Sequence, residues 1–115
     1  MSLPALDSDM SDADLDQMVE NARSAANFLK ALSHEGRLLM LCHLVGGERS
    51  VGEFEELMAW RQAAVSQQLA RLRLEGLVDF RREGKTIYYR LADERVQRTL
   101  ELVYDMFCRD DQKET

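Results

Sequence analysis

Long apolar runs are missing from these 115 residues. The longest, such as 38–42, fall far short of the ~20 residues that span a bilayer. A basic-then-apolar leader is missing as well, because residues 1–17 are acidic and polar. The expectation is a cytoplasmic protein with no membrane partner. Cysteine occurs only twice, at Cys42 and Cys108, with no C-x-x-C and no zinc-finger spacing. In a reducing compartment such a pair is ordinarily reduced, buried and packed as small apolar side chains. The only two histidines, His34 and His43, have no second histidine or carboxylate in a liganding array. Capping or surface roles are expected for them, with no metal and no cofactor. A Ser/His/Asp set, a glycine-rich phosphate loop and a paired carboxylate cleft are all absent, so the chain does not read as an enzyme. Positive charge is in deficit: 15 Lys and Arg stand against 21 Asp and Glu, for a net charge of −6. A chain that coats nucleic acid through bulk charge is thereby excluded.

The charge that is present is unevenly placed. Residues 1–35 carry a net −5, whereas residues 61–90 carry a net +4 from Arg61, Arg71, Arg73, Arg81, Arg82, Lys85 and Arg90 against Glu75, Asp79 and Glu83. A basic island in an acidic chain fits a phosphate footprint confined to one face. It fits equally a solvated helix and hairpin. The length allows one compact domain. Residues 1–14 read as a disordered acidic N-terminus, 15–110 as the domain and 111–115 as a tail.

Within the domain, Asp14 or Asp16 opens a first helix whose stripe is Leu15, Met18, Val19, Ala22, Ala25, Ala26, Leu29 and Leu32. Ser33 is read as the cap of a second helix over 34–44, with Leu38, Leu41 and Val45 inward, Cys42 on the flank and Gly46-Gly47 as the stop. Ser50 and Glu53 form a capping box for a third helix with Phe54, Leu57 and Met58 on its apolar side. Ala59-Trp60-Arg61 makes a turn in which Trp60 plugs the corner between helices. A fourth helix over 62–75 turns Val65, Leu69 and Leu72 inward, and Gly76 ends it. Two alternating segments then flank a tight Glu83-Gly84 turn, with Val78, Phe80, Ile87, Tyr89 and Leu91 toward the core. Asp93 opens a last helix with a stripe of Val96, Leu100, Val103 and Phe107, continued by Leu102, Tyr104 and Met106.

Helix, glycine stop and cationic hairpin in that order predict a mainly α fold with a β-hairpin wing, a winged helix-turn-helix. Its fourth helix would present Gln62, Ala63, Ser66, Gln67, Gln68 and Arg71 to a DNA major groove. Glutamine pairs bidentately with adenine, and the alanine methyl meets that of thymine. Arg71 lies toward the helix end, where phosphate contact is favoured. Arg81, Arg82 and Lys85 sit near the wing tip, facing phosphate or the minor groove. The first and last helices are apolar enough to form a homodimer interface, and a dimer supplies the two recognition helices that a two-fold operator requires.

The stretches ALSHEGRL (31–38), AVSQQL (64–69), LRLEGLV (72–78) and GKTIYYRL (84–91) together resemble the ArsR/SmtB family of winged-helix repressors. The resemblance covers nearly the whole chain from Leu15 onward. Many arsenic and cadmium sensors of that family carry Cys-x-Cys on the third helix, but residues 51–58 hold no cysteine. Zinc and nickel sensors use Asp, His and Glu on the last helix, but residues 93–108 hold no histidine. Arg61 stands where many relatives have a Ser or Thr cap. One cysteine on the second helix and one on the last, with SHEGRL and LCHL, resemble the dithiol sulfide- and persulfide-responsive subgroup (BigR- and SqrR-like). The resemblance implies that the reduced dimer represses by binding double-stranded operator DNA. A persulfide or polysulfide inducer then links Cys42 to Cys108, and the DNA is released. Arg109 would favour the Cys108 thiolate, and Tyr104 would shape the pocket. A metal or arsenite sensor of the same fold, using Cys42, Cys108 and His43, is the competing reading. A dimeric interaction module that does not read DNA is a third.

Overall fold

The computed structural model describes residues 11–108, in the order α1 (Asp12–Leu32), α2 (Glu35–Val45), β1 (Arg49–Ser50), α3 (Val51–Met58), α4 (Gln62–Leu74), β2 (Val78–Glu83), β3 (Thr86–Leu91), α5 (Glu94–Phe107). Arg109, residues 1–10 and the 111–115 tail lie outside the described residues. Contacts divide the chain into two units, Met1–Lys30 and Ala31–Thr115.

In the first unit, α1 starts at Asp12, before the expected Asp14, because Ser11 caps it. The Ser11 Oγ accepts from the Asp14 N–H at 3.1 Å, as an N-cap serine should. The acidic first turn suits the positive end of the helix. Its stripe residues Leu15, Val19 and Leu29 are exposed.

The second unit contains the core, in which Phe54, Met40, Leu41, Leu69, Leu72, Leu77, Val65 and Val96 are fully buried. The cap of α2 is His34, one residue after the expected Ser33. His34 has extended φ/ψ, and its Nδ1 accepts from the N–H groups of Gly36 (3.1 Å) and Arg37 (3.4 Å). The inward stripe of α2 is Arg37, Met40, Leu41 and Leu44. Leu38 is half-buried and Val45 exposed, contrary to expectation, because the stripe begins at a charged residue that apolar periodicity cannot count.

The capping box of α3 forms in both directions: Ser50 N–H donates to Glu53 Oε1 at 2.8 Å, and Glu53 N–H to Ser50 Oγ at 3.1 Å. Phe54 is buried, Met58 half-buried and Leu57 exposed. Ala59 takes a left-handed φ of 56° to turn the chain into α4. Gly76, with φ +76°, ends α4. Its N–H reaches the Arg73 carbonyl, and the N–H of buried Leu77 reaches back to the carbonyl of buried Leu72. These are the two hydrogen bonds and the apolar pair of a Schellman close.

The hairpin turn is Gly84-Lys85, one residue beyond the expected Glu83-Gly84. Gly84 takes the positive φ (+63°) needed at the first position without the steric cost of a side chain. Register pairs Val78 with Leu91, Phe80 with Tyr89 and Arg82 with Ile87. Of the five residues expected to face the core, Val78 is buried and the other four are half-buried. The two residues of β1 add a third antiparallel strand, giving the order β1-β3-β2. Two residues are too few for alternation to reveal. Asp93 caps α5 by accepting from Arg95 N–H at 2.9 Å. Val96 and Leu100 are buried, whereas Leu102, Tyr104, Met106 and Phe107 are exposed. No helix among the described residues is long and apolar enough to cross a membrane.

Trp60 lies against the backbone of α2 at Gly36, so closely that a Cβ there would overlap the indole ring. Gly36→Ala should therefore destabilise the fold by about 1–3 kcal/mol, the usual cost of overpacking, as read from urea denaturation midpoints. The penalty should shrink in a Trp60→Leu background, where the overlapping ring atoms are gone.

Candidate nucleic-acid interface and thiol pair

Helix α4 separates its two faces cleanly. Val65, Leu69 and Leu72 are 0% exposed, and their burial fixes how the helix is rolled. The opposite face exposes Gln62, Ala63, Ser66, Gln67, Ala70 and Arg71. Arg61 occupies the cap position with no side-chain cap bond. An open groove of about 560 Å³ at the start of the helix is lined by His34, Trp60, Arg61, Ala63, Gln67 and Gln68, among others. A second notch, of about 340 Å³, brings Gln62 together with Lys85 and Thr86 of the hairpin and with Ser50 at the start of α3. The candidate reading face thus continues from the helix onto the wing.

Two of the expected DNA-contact residues have other partners. Gln68 is half-buried, and its Oε1 accepts from Arg37 Nη1 at 3.3 Å. Arg81 Nε donates to both carboxylate oxygens of Glu48 at 3.0 Å. Its guanidinium lies 4.7 Å from the Tyr88 ring centre. Arg73 sits 4.2 Å over the Phe80 ring, so it braces helix against hairpin.

Arg37 is a residue whose role the sequence did not reveal. It is 7% exposed, and its Nε donates to the Ala31 carbonyl at 2.7 Å. Burial pushes the guanidinium pKa down, and Arg71 lowers it further, while Glu75 opposes the shift. The available signal was an arginine at a core position of the α2 stripe, which apolar periodicity passes over.

The cysteines are not buried: Cys42 and Cys108 are both exposed free thiols. Cys42 opens onto a groove of about 360 Å³ formed with Val45, Leu100, Glu101 and Tyr104. The same slight roll of α2 that exposes Val45 puts Cys42 at this surface. Cys108 caps the C-terminal end of α5, its N–H bonded to the Tyr104 carbonyl at 2.8 Å. Desolvation pushes the Cys42 thiol pKa up, and the field of Cys108 adds to the shift. Among the described residues, no group of three or more His, Cys, Asp or Glu is arranged to hold a metal ion.

The profile of the family described as "Bacterial regulatory protein, arsR family" matches residues 34–79. The chain is 45% identical over 100 residues to the biofilm growth-associated repressor of Agrobacterium fabrum, covering 87% of this chain and 86% of that protein. The solved structure of reduced HlyU from Vibrio cholerae aligns with TM-score 0.77 at 40% identity, over 81% of this chain and 98% of that one. The repressor BigR of Xylella fastidiosa aligns with TM-score 0.75 at 41% identity, over 87% and 99%.

Arg37→Met strands the Ala31 carbonyl and the Gln68 amide oxygen together. It should lower the unfolding free energy by about 1–3 kcal/mol, the range for unpaired buried polar groups. Gln68→Ala leaves the Ala31 bond intact and should cost less. Urea unfolding of the two variants checks this order.

Proposed function

The chain belongs to the ArsR family of bacterial regulatory proteins and is a DNA-binding transcriptional regulator; from that premise we propose that it is a cytoplasmic, homodimeric repressor whose DNA affinity is switched by reactive sulfur acting on Cys42 and Cys108. The observation that carries this reading is the pair of free, exposed thiols, one on α2 beside a groove lined by Leu100, Glu101 and Tyr104 of α5, and one closing α5. The apolar residues left exposed on α1 and α5 support a dimer built through those helices. Two recognition helices then meet successive major grooves of a two-fold operator. Gln62, Ala63, Ser66 and Gln67 face base edges, and Arg71 reaches phosphate.

The chemistry balances as follows. One cysteine thiolate attacks a sulfane sulfur of an inorganic polysulfide or organic persulfide, forming an S–S bond and expelling hydrosulfide or thiolate. The second thiolate attacks that cysteine-bound sulfur chain and displaces hydrosulfide, which carries away the two electrons. Two thiols are oxidised to a bridge, a disulfide or a longer polysulfide, and sulfane sulfur is reduced. The raised pKa of Cys42 makes it a poorer thiolate at neutral pH than an ordinary cysteine. That suits it to the second step, in which proximity offsets its smaller thiolate fraction. Helix α2 carries Cys42 and also holds Arg37 against Gln68 of α4, so a strain on α2 is felt by the reading helix. A hundredfold loss of DNA affinity requires a coupling of only about 2.7 kcal/mol.

The test is peptide mass spectrometry in parallel with operator binding after separate exposure to polysulfide, peroxide, zinc and arsenite. Polysulfide should link Cys42 to Cys108 and weaken binding, and Cys42→Ser should abolish the response. A response to arsenite or zinc with the thiols unlinked would replace this reading with a metal sensor. A link that leaves affinity unchanged would remove the switch. Separately, alkylation of Cys42 by iodoacetamide should be slow at neutral pH and should keep accelerating with pH beyond the range where a free cysteine levels off. A rate that levels off with the free cysteine would contradict the raised thiol pKa.

A further inference from the structure

Strand alternation sorts the wing residues onto two faces. Asp79, Arg81 and Glu83 of β2 share a face with their register partners Arg90, Tyr88 and Thr86 of β3. Glu48, from the loop between α2 and β1, joins that face. Arg81 Nε donates to both Glu48 oxygens, its Nη2 lies 2.9 Å from Glu48 Oε1, and its Nη1 lies 3.1 Å from Glu83 Oε1. Arg90 bridges Glu48 at 3.7 Å and Asp79 at 3.4 Å. The fork of Arg81 is thus occupied on every nitrogen, and its plane lies against Tyr88.

Three carboxylates on this face outnumber its two guanidiniums, so its local charge is negative and it repels DNA. Arg82 and Lys85 differ. Arg82 points to the opposite face, opposite Ile87, and Lys85 lines the notch that contains Gln62 of α4. Neither has a hydrogen bond or ion pair among the described residues.

We infer that Glu48 sets the wing: by holding Arg81 and Arg90 at its root it withholds both from DNA and leaves phosphate contact to Arg82 and Lys85. Arg81, which the sequence placed among the DNA contacts, is then a positioning residue. Bidentate pairing and the ring beneath fix its geometry. An isolated exposed pair contributes little, but here five charges share one face.

Phosphate contacts and positioning contacts separate by salt. Each phosphate neutralised by a side chain contributes about 0.9 to the slope of log affinity against log salt, whatever the DNA sequence. The measurement is binding of the full-length reduced protein to a random-sequence DNA duplex at several salt concentrations. Arg82→Ala and Lys85→Ala should each reduce the slope by about 0.9 per bound chain. Arg81→Ala should leave the slope unchanged, whatever it does to affinity at one salt concentration. Glu48→Gln keeps the shape and removes the charge, so it should steepen the slope by freeing Arg81. Adding Arg81→Ala to Glu48→Gln should then remove the share of the increment due to Arg81, about 0.9 per bound chain, and leave only the share of Arg90. A slope that falls in Arg81→Ala as it does in Arg82→Ala overturns the inference. So does a Glu48→Gln slope equal to that of the unsubstituted chain, because a purely structural Glu48 would change affinity without changing the slope. Arg81→Gln, which retains reach and polarity, repeats the Arg81 arm should the alanine variant fold poorly.

Discussion

A buried guanidinium is costly to hold in a chain this short. Desolvating a cation costs several kcal/mol even after relaxation, and the cost is met only if its donors find good acceptors. Arg37 meets that condition with the Ala31 carbonyl and the Gln68 side chain. The surrounding structure is arranged to let it do so. His34 caps α2 so that Arg37 enters in the first turn, and Gly36 clears room for Trp60 beside it. The consequence is that α4 is positioned by more than apolar contact. Val65, Leu69 and Leu72 would tolerate small slides against the core, whereas a directional bond to Gln68 does not. An interface that reads base edges needs its helix located to a fraction of a hydrogen-bond length, and a polar tie supplies that where packing alone would not.

The same helix gives the proposed switch its route. Arg37 and Cys42 lie on α2 within about a turn and a half of each other. One faces inward to the recognition helix and the other outward to a groove shared with α5. A rigid helix with a chemical handle on one face and a hydrogen-bond tie on the other needs no long relay. The stored difference between linked and unlinked states has only to exceed the strength of a few such contacts to alter DNA affinity.

Much of the fold was readable because the residues that build it are apolar and periodic, or are local signals with a defined geometry. The inward set of α4, the Ser50–Glu53 box, the Gly76 stop and the Asp93 cap all depend on short-range rules, and they appear where the residues place them. The misreadings of α2 have one cause in common: a polar residue doing the work of an apolar or neutral one. Arg37 stands within the core stripe of α2, so the expected stripe slipped toward Leu38 and Val45. His34 caps with an imidazole nitrogen where a hydroxyl was expected. For the thiols, composition favoured burial, but the roll of α2 puts Cys42 at the surface and Cys108 is exposed at the end of α5. The electrostatic state of the wing was hidden for a different reason. Glu48 and Arg81 are 33 positions apart, and a count of local charge has no means of pairing them.

The chain has a single tryptophan, and it rests on α2 at Gly36 while lining the groove at the mouth of the recognition helix. An indole in such a place is a built-in optical gauge. Its emission responds to the polarity and contacts of the corner where the sulfur-bearing helix meets the DNA-reading helix. Without any added label, the protein carries a fluorophore where α2 and α4 approach one another, and the two ends of the proposed switch can be followed in one cuvette.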